Sequence, residues 1–172
     1  LGVFYLEITA VGENGCDNDT IYEVANQSNP SINFGNPGGS QGCTPITINF
    51  PVSSMQDNSP GTQYIFAWGD GTTTTKDQFW ADTATIIPHT YTQTSCPGGA
   101  LTASCTVINL CDTTIETTYP INIYQGTVAG ITNSDSIICL DQQLCLTNNT
   151  IIGYGPNCIQ YTAFLWDFGD GN

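Results

Sequence analysis

An internal repeat constrains this sequence more than any other feature, because a chain that repeats itself folds as copies of one supersecondary unit. Gly-Asp-Gly stands at 69–71 and again at 169–171, an offset of 100, and Cys43 and Cys139 are 96 residues apart. A period of about 95–100 residues predicts three copies: the last two strands of one in residues 1–27, a whole one in 28–126, and the opening strands of a third in 127–172. Two incomplete copies lead us to expect that the sequence is part of a longer array.

Alternating apolar residues predict that each copy is built from β-strands. In residues 3–11, Phe4, Leu6, Ile8 and Ala10 fall on one face, and the runs at 43–50 and 101–109 alternate in the same way. Such runs are typical of half-buried antiparallel strands, and clusters of Gly, Pro, Ser and Asn separate them. The sequence predicts an all-β fold, arranged as an antiparallel sandwich.

The charge of the chain narrows the classes of partner. Fifteen acidic residues face one basic residue, Lys76, for a formal net charge of −14. Phosphate backbones and anionic membrane surfaces are bound by clustered Lys and Arg, so we expect neither nucleic acid nor membrane as a partner. No apolar run reaches the ~20 residues that span a bilayer, so no membrane insertion is expected in this segment.

The eight cysteines indicate disulfides rather than a metal centre. Zinc and iron–sulfur sites bring cysteines in close pairs, and this sequence has no Cys-x-x-Cys and only one histidine. Disulfides form in oxidising compartments, so a secreted or cell-surface protein is expected. No cofactor is expected apart from calcium.

The Gly-Asp-Gly turns are the first candidate site. Glycine permits backbone angles that other residues resist, and an aspartate in such a turn can accept hydrogen bonds from the turn's own amides. We expect Trp68 and Trp166 to fill the core beside these turns. The alternatives are a calcium contact at Asp70, Asp167 and Asp170, or a catalytic acid.

No catalytic constellation is found in the sequence, and no enzyme is expected. A triad would have to use His89, the only histidine, which lies in a predicted strand. The remaining candidates are Phe79 and Trp80, which follow the first Gly-Asp-Gly in what we expect to be a loop or an edge strand. They could stack on sugars or a neighbouring domain, or one of them could close the sandwich.

Two longer stretches carry a family resemblance. "WGDGTTTT", followed by "PHTYTQTSC" and "CTVINLCD", and the later "FLWDFGDGN" resemble the PKD domain, an immunoglobulin-like β-sandwich marked by a W-D-F-G-D-G turn and a later H-T-Y. "DTIYEVANQSNPSINFGNPGG" is similar to tandem PKD repeats in very long Bacteroidota surface proteins that leave the cell by type IX secretion, some of them gliding-motility adhesins.

The resemblance implies a structural and adhesive role. The chain would be a segment of a long extracellular repeat protein that forms a cell-surface stalk or filament. Its partners would be neighbouring repeats, like chains in a filament, and extracellular glycans or surfaces. The alternative is a non-catalytic carbohydrate-binding or spacer module of a secreted hydrolase, because PKD domains also accompany catalytic domains.

The resemblance also implies disulfide pairings. It pairs Cys43 with Cys111, and Cys96 with Cys105 would accompany that pairing. Cys43–Cys105 stays open, because Cys105 points toward the core by its parity. In the third copy Cys145 is expected to bond Cys158, and Cys16 and Cys139 would find partners outside this segment.

The resemblance further implies O-glycosylation. Asp followed by Thr or Ser and then an aliphatic residue or Ala resembles the Bacteroidota signal. The acceptor residues would be Thr20, Thr83 and Ser136.

Overall fold

The computed structural model describes residues 2–169 and is built almost entirely of β-strands. Its strands are β1 Gly2–Val11, β2 Asp17–Asn26, β3 Asn33–Phe34, β4 Gln41–Cys43, β5 Ile46–Ser53, β6 Gln63–Ala67, β7 Thr73–Asp77, β8 Ile86–Tyr91, β9 Ser104–Ile108, β10 Thr113–Thr117, β11 Asn122–Tyr124, β12 Ile131–Asn133 and β13 Leu146–Asn148. One short helix, α1 Gln78–Ala81, follows β7, and a 3₁₀ turn covers Pro156–Cys158. The prediction of an all-β fold is confirmed.

The middle of the chain forms two antiparallel sheets that share one apolar core. One sheet has the strand order β3-β5-β8 and the other β10-β9-β6-β7, while β4 and β11 pair in parallel beside them. The alternation predicted for 43–50 and 101–109 places Ile48, Phe50, Cys105 and Val107 inward, and all four are buried. The layers are therefore sandwich-like, with core side chains contributed by both sheets.

The core is rich in aromatic side chains, most of which meet edge to face or tilted, while Phe66 and Trp68 stack. Phe34 lies 5.4 Å from both Phe50 and Phe66, measured between ring centroids, and Trp68 lies 5.2 Å from Phe50. Large aromatic rings bury much apolar surface and favour such offset geometries. Because these rings come from β3, β5, β6 and the turn directly after β6, their packing joins the two sheets.

Strands β1 and β2 form a separate antiparallel hairpin. Leu6 stands opposite Tyr22 and Thr9 opposite Asp19. The sequence predicted that residues 3–11 are half-buried, but Leu6 is 54% exposed and Ile8 51% exposed. That prediction is wrong for the described residues, because β1 pairs only with β2 and no second sheet covers the hairpin.

The disulfide predictions also require correction. In the described residues the one disulfide joins Cys96 to Cys158, with Cα atoms 5.3 Å apart and a sequence separation of 62. The expected Cys96–Cys105 and Cys145–Cys158 pairs are therefore wrong. This disulfide links the loop after β8 to the segment that follows β13. It therefore crosses the predicted boundary between the second and third copies.

The remaining pairings fail for reasons of distance and burial. Cys43 precedes β5, whereas Cys111 donates a 3.4 Å hydrogen bond to the carbonyl of Gln27, in the segment that leads to the far end of β5. The eight residues of β5 extend roughly 25 Å, so the Cys43 and Cys111 thiols lie at opposite ends of the sheets and are free. Cys105, which is buried, and Cys43, which is exposed, are both free thiols, so the Cys43–Cys105 pair does not form either. Cys16 and Cys139 are exposed free thiols, and the prediction of partners outside the segment stays a prediction.

Candidate functional site

The first Gly-Asp-Gly connects β6 to β7 in a tight turn. Trp68 N donates to Thr72 O at 3.1 Å. Asp70 Oδ1 accepts hydrogen bonds from the Thr72 amide at 2.9 Å and from the Thr72 hydroxyl at 2.6 Å. The hydrogen bonds predicted between this aspartate and its own turn are confirmed.

Both glycines of the turn have left-handed backbone angles, with φ of +84° at Gly69 and +89° at Gly71. Gly69 is also confined by space, because a Cβ there would lie 2.8 Å from the carbonyl oxygen of Thr102, whereas a Cβ on Gly71 would meet nothing within 4 Å. The first glycine is thus required by conformation and by close approach, and the second by conformation alone.

His89, on β8, reaches this turn from the opposite sheet. Its Nε2 lies 2.8 Å from Asp70 Oδ2, and its ring stacks on Trp68 with centroids 4.5 Å apart and planes 3° from parallel. The Tyr91 ring lies perpendicular to the His89 ring with centroids 4.6 Å apart, and the Tyr91 hydroxyl donates to Trp68 O at 3.0 Å. We call Trp68, Asp70, Thr72, His89 and Tyr91 the turn cluster. It fastens the β6–β7 turn to β8 across the two sheets.

The environment of the turn cluster shifts two pKa values in opposite directions. Burial alone would raise the pKa of Asp70, but the hydrogen bonds from Thr72 and His89 outweigh it, so the pKa lies below its ordinary value of 3.8. Burial raises the pKa of Tyr91 well above its ordinary range, and the nearby Asp70 charge adds to this effect. The cluster therefore holds an ionised carboxylate beside a neutral phenol.

The geometry of the turn cluster does not support nucleophilic catalysis. In a hydrolytic triad, one imidazole nitrogen binds the carboxylate while the other faces the hydroxyl. Here the same atom, His89 Nε2, lies 2.8 Å from Asp70 and 3.5 Å from the Thr72 hydroxyl. That hydroxyl already donates to Asp70. The arrangement can exchange hydrogen bonds within itself, and this is a structural role.

The calcium contacts proposed from the sequence meet a similar geometry. Both oxygens of Asp70 accept or share hydrogen bonds within the turn cluster. Asp167 Oδ1 accepts a hydrogen bond from Gly169 N at 2.8 Å, the same kind of contact that Asp70 makes with Thr72. Asp170 lies outside the described residues. Within residues 2–169, no three His, Cys, Asp or Glu side chains group as metal ligands.

The second Trp predicted to fill the core does not do so. Trp166 is 40% exposed, whereas Trp68 is fully buried. Trp166 borders a cavity of about 290 Å³ together with Ile131, Asn148 and Phe164. Within residues 2–169, its surroundings thus include β12 and β13 but no facing sheet.

Phe79 and Trp80 lie on α1 rather than on a loop or an edge strand. Asp77 caps this turn by accepting a 3.0 Å hydrogen bond from the Trp80 amide. The Trp80 ring centroid lies 5.7 Å from that of Phe66 and the side chain is partly buried, so it helps to close the core. Phe79 is 86% exposed. The structure therefore gives these two adjacent residues different environments, with Trp80 packed against the core and Phe79 in solvent.

The three candidate glycosylation residues occupy different kinds of backbone. Thr20 lies within β2, Thr83 follows α1, and Ser136 lies in the connection between β12 and β13. All three are exposed. Accessibility is compatible with modification, and the glycosylation itself stays a prediction.

A buried polar network around Tyr64 was not predicted from the sequence. The Tyr64 hydroxyl donates to Gln78 Oε1 at 2.7 Å and accepts from Asn58 Nδ2 at 2.6 Å, and Gln78 Nε2 donates to Met55 O at 3.0 Å. Burial raises the pKa of Tyr64, partly offset by the Asn58 hydrogen bond. No motif or spacing in the sequence indicated these contacts, because they join a loop, β6 and α1.

No family model matches the chain, and no curated protein matches it significantly. Within the described residues, no helix is long and apolar enough to cross a membrane.

Proposed function

We propose that this chain is a structural and adhesive segment of a long extracellular repeat protein, made of tandem immunoglobulin-like sandwiches of the PKD type with boundaries near residues 27 and 126. We further propose that the protein is secreted and lies at the cell surface, where it forms a stalk or filament. It would resemble the Bacteroidota proteins that leave the cell by type IX secretion, some of which are gliding-motility adhesins. The observation that supports it best is that pairs of strands recur along the chain with the same offset in residue number.

The first recurrence relates the β1–β2 hairpin to β9 and β10. Leu6 stands opposite Tyr22. The residue 97 positions after Leu6 is Ala103, whose carbonyl accepts a hydrogen bond from Thr118, 96 positions after Tyr22. Thr9 and Asp19 map in the same way onto Thr106 and Ile115, which are paired partners.

The second recurrence relates β3 and β5 to β12 and β13. Phe34 stands opposite Val52. Ile131 stands opposite Asn148, and these residues follow Phe34 and Val52 by 97 and 96 positions. The offsets equal those of the hairpin and fall within the period of the sequence repeat. A shared register in two independent pairs supports one repeating unit, because a one-residue slip would reverse every side chain.

The Cys96–Cys158 disulfide supports the same proposal. It connects the middle sheets to the segment expected to begin the next copy, and so it would resist separation of consecutive units under load. Structural disulfides persist in oxidising compartments, in agreement with an extracellular location.

The proposal is tested on native material by peptide mapping without reduction. Trypsin has one basic residue to cleave after, Lys76, so pepsin at acid pH is the better protease and also suppresses thiol–disulfide exchange. We expect a Cys96–Cys158 linked peptide and sugar masses on peptides containing Thr20, Thr83 or Ser136, with unexported recombinant chain as the unmodified control. Free thiols throughout and no sugar would refute an extracellular role.

A second candidate function is carbohydrate binding, as in a module of a secreted hydrolase. The observation that favours it is the exposed Phe79 ring, which borders a shallow cavity with Asp77, Asp82 and Pro60. Aromatic faces beside carboxylates bind sugar rings by stacking and hydrogen bonding. Calorimetric titration with oligosaccharides tests it: Phe79→Ala should abolish any binding, and Leu110→Ala, at another exposed site, should not.

A further inference from the structure

The outward face of the four-stranded sheet in the middle of the chain carries almost no charge. Strands β10, β9, β6 and β7 each turn every second side chain outward, and their pairings align these side chains in rows. We call the following residues the neutral face: Thr113, Ile115, Thr117, Ser104, Thr106, Ile108, Gln63, Ile65, Ala67, Thr73, Thr75 and Asp77. All of them are exposed or partly exposed. Asp77, at one corner, is the only ionisable side chain of this face.

The other acidic residues of the middle sheets lie away from the neutral face. Asp57, Asp70, Asp82 and Asp112 stand in loops and turns, and Glu116 points to the opposite side of β10. The chain as a whole has a net charge of −14, so two copies repel each other. A contact through the neutral face brings few carboxylates together, which weakens this repulsion.

The neutral face belongs to residues 63–117, inside the predicted complete copy. The segments that enter and leave this copy contact the ends of its sheets. Cys111 donates to Gln27 O where the chain enters, and Tyr154 N donates to Gln125 O where it leaves. Further repeats would therefore extend from the ends of the sheets, and the neutral face would stay on the side of the array.

Three isoleucines form one apolar group on the neutral face. Ile115 and Ile65 stand on either side of Thr106 in one row, and Ile108 follows Thr106 by two positions on β9. Ile115 is 62% exposed. Positions on a solvated sheet face are normally polar. Because β-branched side chains have few rotamers, they lose little entropy when a second surface covers them.

The other residues of the neutral face indicate which surface covers it. Threonine and serine hydroxyls both donate and accept hydrogen bonds, so a surface of hydroxyls can bond to an identical one. The negative chain repels an anionic partner, and a cationic partner binds better at the acidic loops. Sugars stack on aromatic rings, but Phe79 and Trp80 lie on α1 and not on this face. The surface that matches it best is the same face of a second copy.

We propose that two copies of this chain associate through their neutral faces, about a two-fold axis that brings the two isoleucine groups together. Sheets pack face to face at a distance of about 10 Å. A contact between identical faces closes on itself, so each pair of faces forms a dimer. This inference deepens the proposed function, on which it rests, by naming the surface through which like chains of a filament associate side by side.

The size of the neutral face sets the strength of the contact. Four strands about 4.8 Å apart, each with three outward residues about 6.8 Å apart, cover roughly 19 Å by 20 Å, or about 400 Å². A standard interface buries about 800 Å² on each partner. One pair of faces should therefore bind weakly, and linked faces in an array would add through their effective concentration. Salt screens the repulsion between the acidic chains, so the dimer should strengthen as the salt concentration rises.

The first test combines sedimentation equilibrium with NMR of isoleucine methyl groups, from micromolar to millimolar protein in high salt. We expect a dimer that dissociates on dilution, which distinguishes it from a disulfide-linked one. The methyl signals of Ile65, Ile108 and Ile115 should shift together along the same binding curve. Ile86 is the internal control, because it is 52% exposed on β8 of the other sheet, and its signal should not move.

The second test places a charge at Thr106, between the isoleucines. Thr106→Glu and Thr106→Lys each bring like charges together in the dimer, so each variant alone should bind itself at least about tenfold more weakly. A mixture of the two should restore association as a heterodimer. Matched controls are Asn49→Glu and Asn49→Lys, because Asn49 lies outward on β5 of the other sheet, and these should dimerise as the wild type does.

The outcomes separate this inference from the proposed function. A monomer at every protein and salt concentration would overturn it, and so would a dimer whose formation shifts Ile86 and leaves Ile65 unmoved. The methyl signals of the wild type decide the matter even if a Thr106 variant fails to fold. None of these results alters the disulfide and glycan map, which tests the proposed function separately.

Discussion

Removal of the Cys96–Cys158 bridge should destabilise the chain more than any other cysteine substitution at an accessible position. The two cysteines are 62 residues apart, and cross-linking a loop of that length lowers the entropy of the unfolded chain by the equivalent of about 4 kcal/mol. The native unfolding free energy of a domain is typically about 5–15 kcal/mol, so this loss is a large fraction of the total. With an m-value of about 2 kcal/mol/M, it moves the urea midpoint down by about 2 M.

The assay is urea unfolding followed by tryptophan fluorescence, comparing wild type with Cys158→Ser. Cys158 is the better site because it is partly exposed, whereas Cys96 is nearly buried and a hydroxyl there would add its own desolvation cost. Work near pH 5 limits thiol–disulfide exchange. Cys145→Ser is the matched control, since Cys145 is an exposed free thiol.

Two results would refute this reasoning. If Cys145→Ser lowers the midpoint as much as Cys158→Ser, then Cys145 and Cys158 are bonded to each other. If reduction leaves the wild-type midpoint unchanged, the native chain carries no stabilising bridge at this position.

Three further predictions concern the β6–β7 turn and the core. Hydrogen bonds lower the pKa of Asp70 in the folded state, so the ionised carboxylate stabilises the fold above its unfolded pKa, and this contribution is lost as the pH falls through the folded pKa. The difference in unfolding free energy between wild type and Asp70→Asn should therefore shrink between about pH 6 and pH 2. A constant difference would contradict the hydrogen-bonded, ionised state of Asp70. Gly69→Ala and Gly71→Ala share the cost of a left-handed residue, about 1–2 kcal/mol. Only at Gly69 would the new Cβ also lie 2.8 Å from a backbone carbonyl oxygen, that of Thr102. Gly69→Ala should therefore lower the melting temperature more than Gly71→Ala does. Phe66→Ala, at a fully buried ring, should cost about 3–5 kcal/mol in chemical unfolding, while Phe79→Ala, at an exposed one, should be nearly neutral; equal losses would contradict the placement of α1.

Local chemistry was readable from the sequence. Two-residue alternation gave the inward faces of β5 and β9 correctly, because side chains of a strand alternate between its two sides. The contact between Asp70 and Thr72 was also predictable, since it joins residues two positions apart within one turn. The repeat period read from the sequence stays a prediction.

Long-range contacts were decided only by the tertiary structure. His89 meets Asp70 because β8 of one sheet crosses the β6–β7 turn of the other, and no spacing in the sequence encodes that approach. The partner of Cys96 likewise depends on where a segment 62 residues later is held. Periodicity also could not show that Leu6 remains half exposed, because burial requires a second surface to cover a face. The sequence by itself thus determined strands and turns, while the packing of distant segments decided which side chains meet.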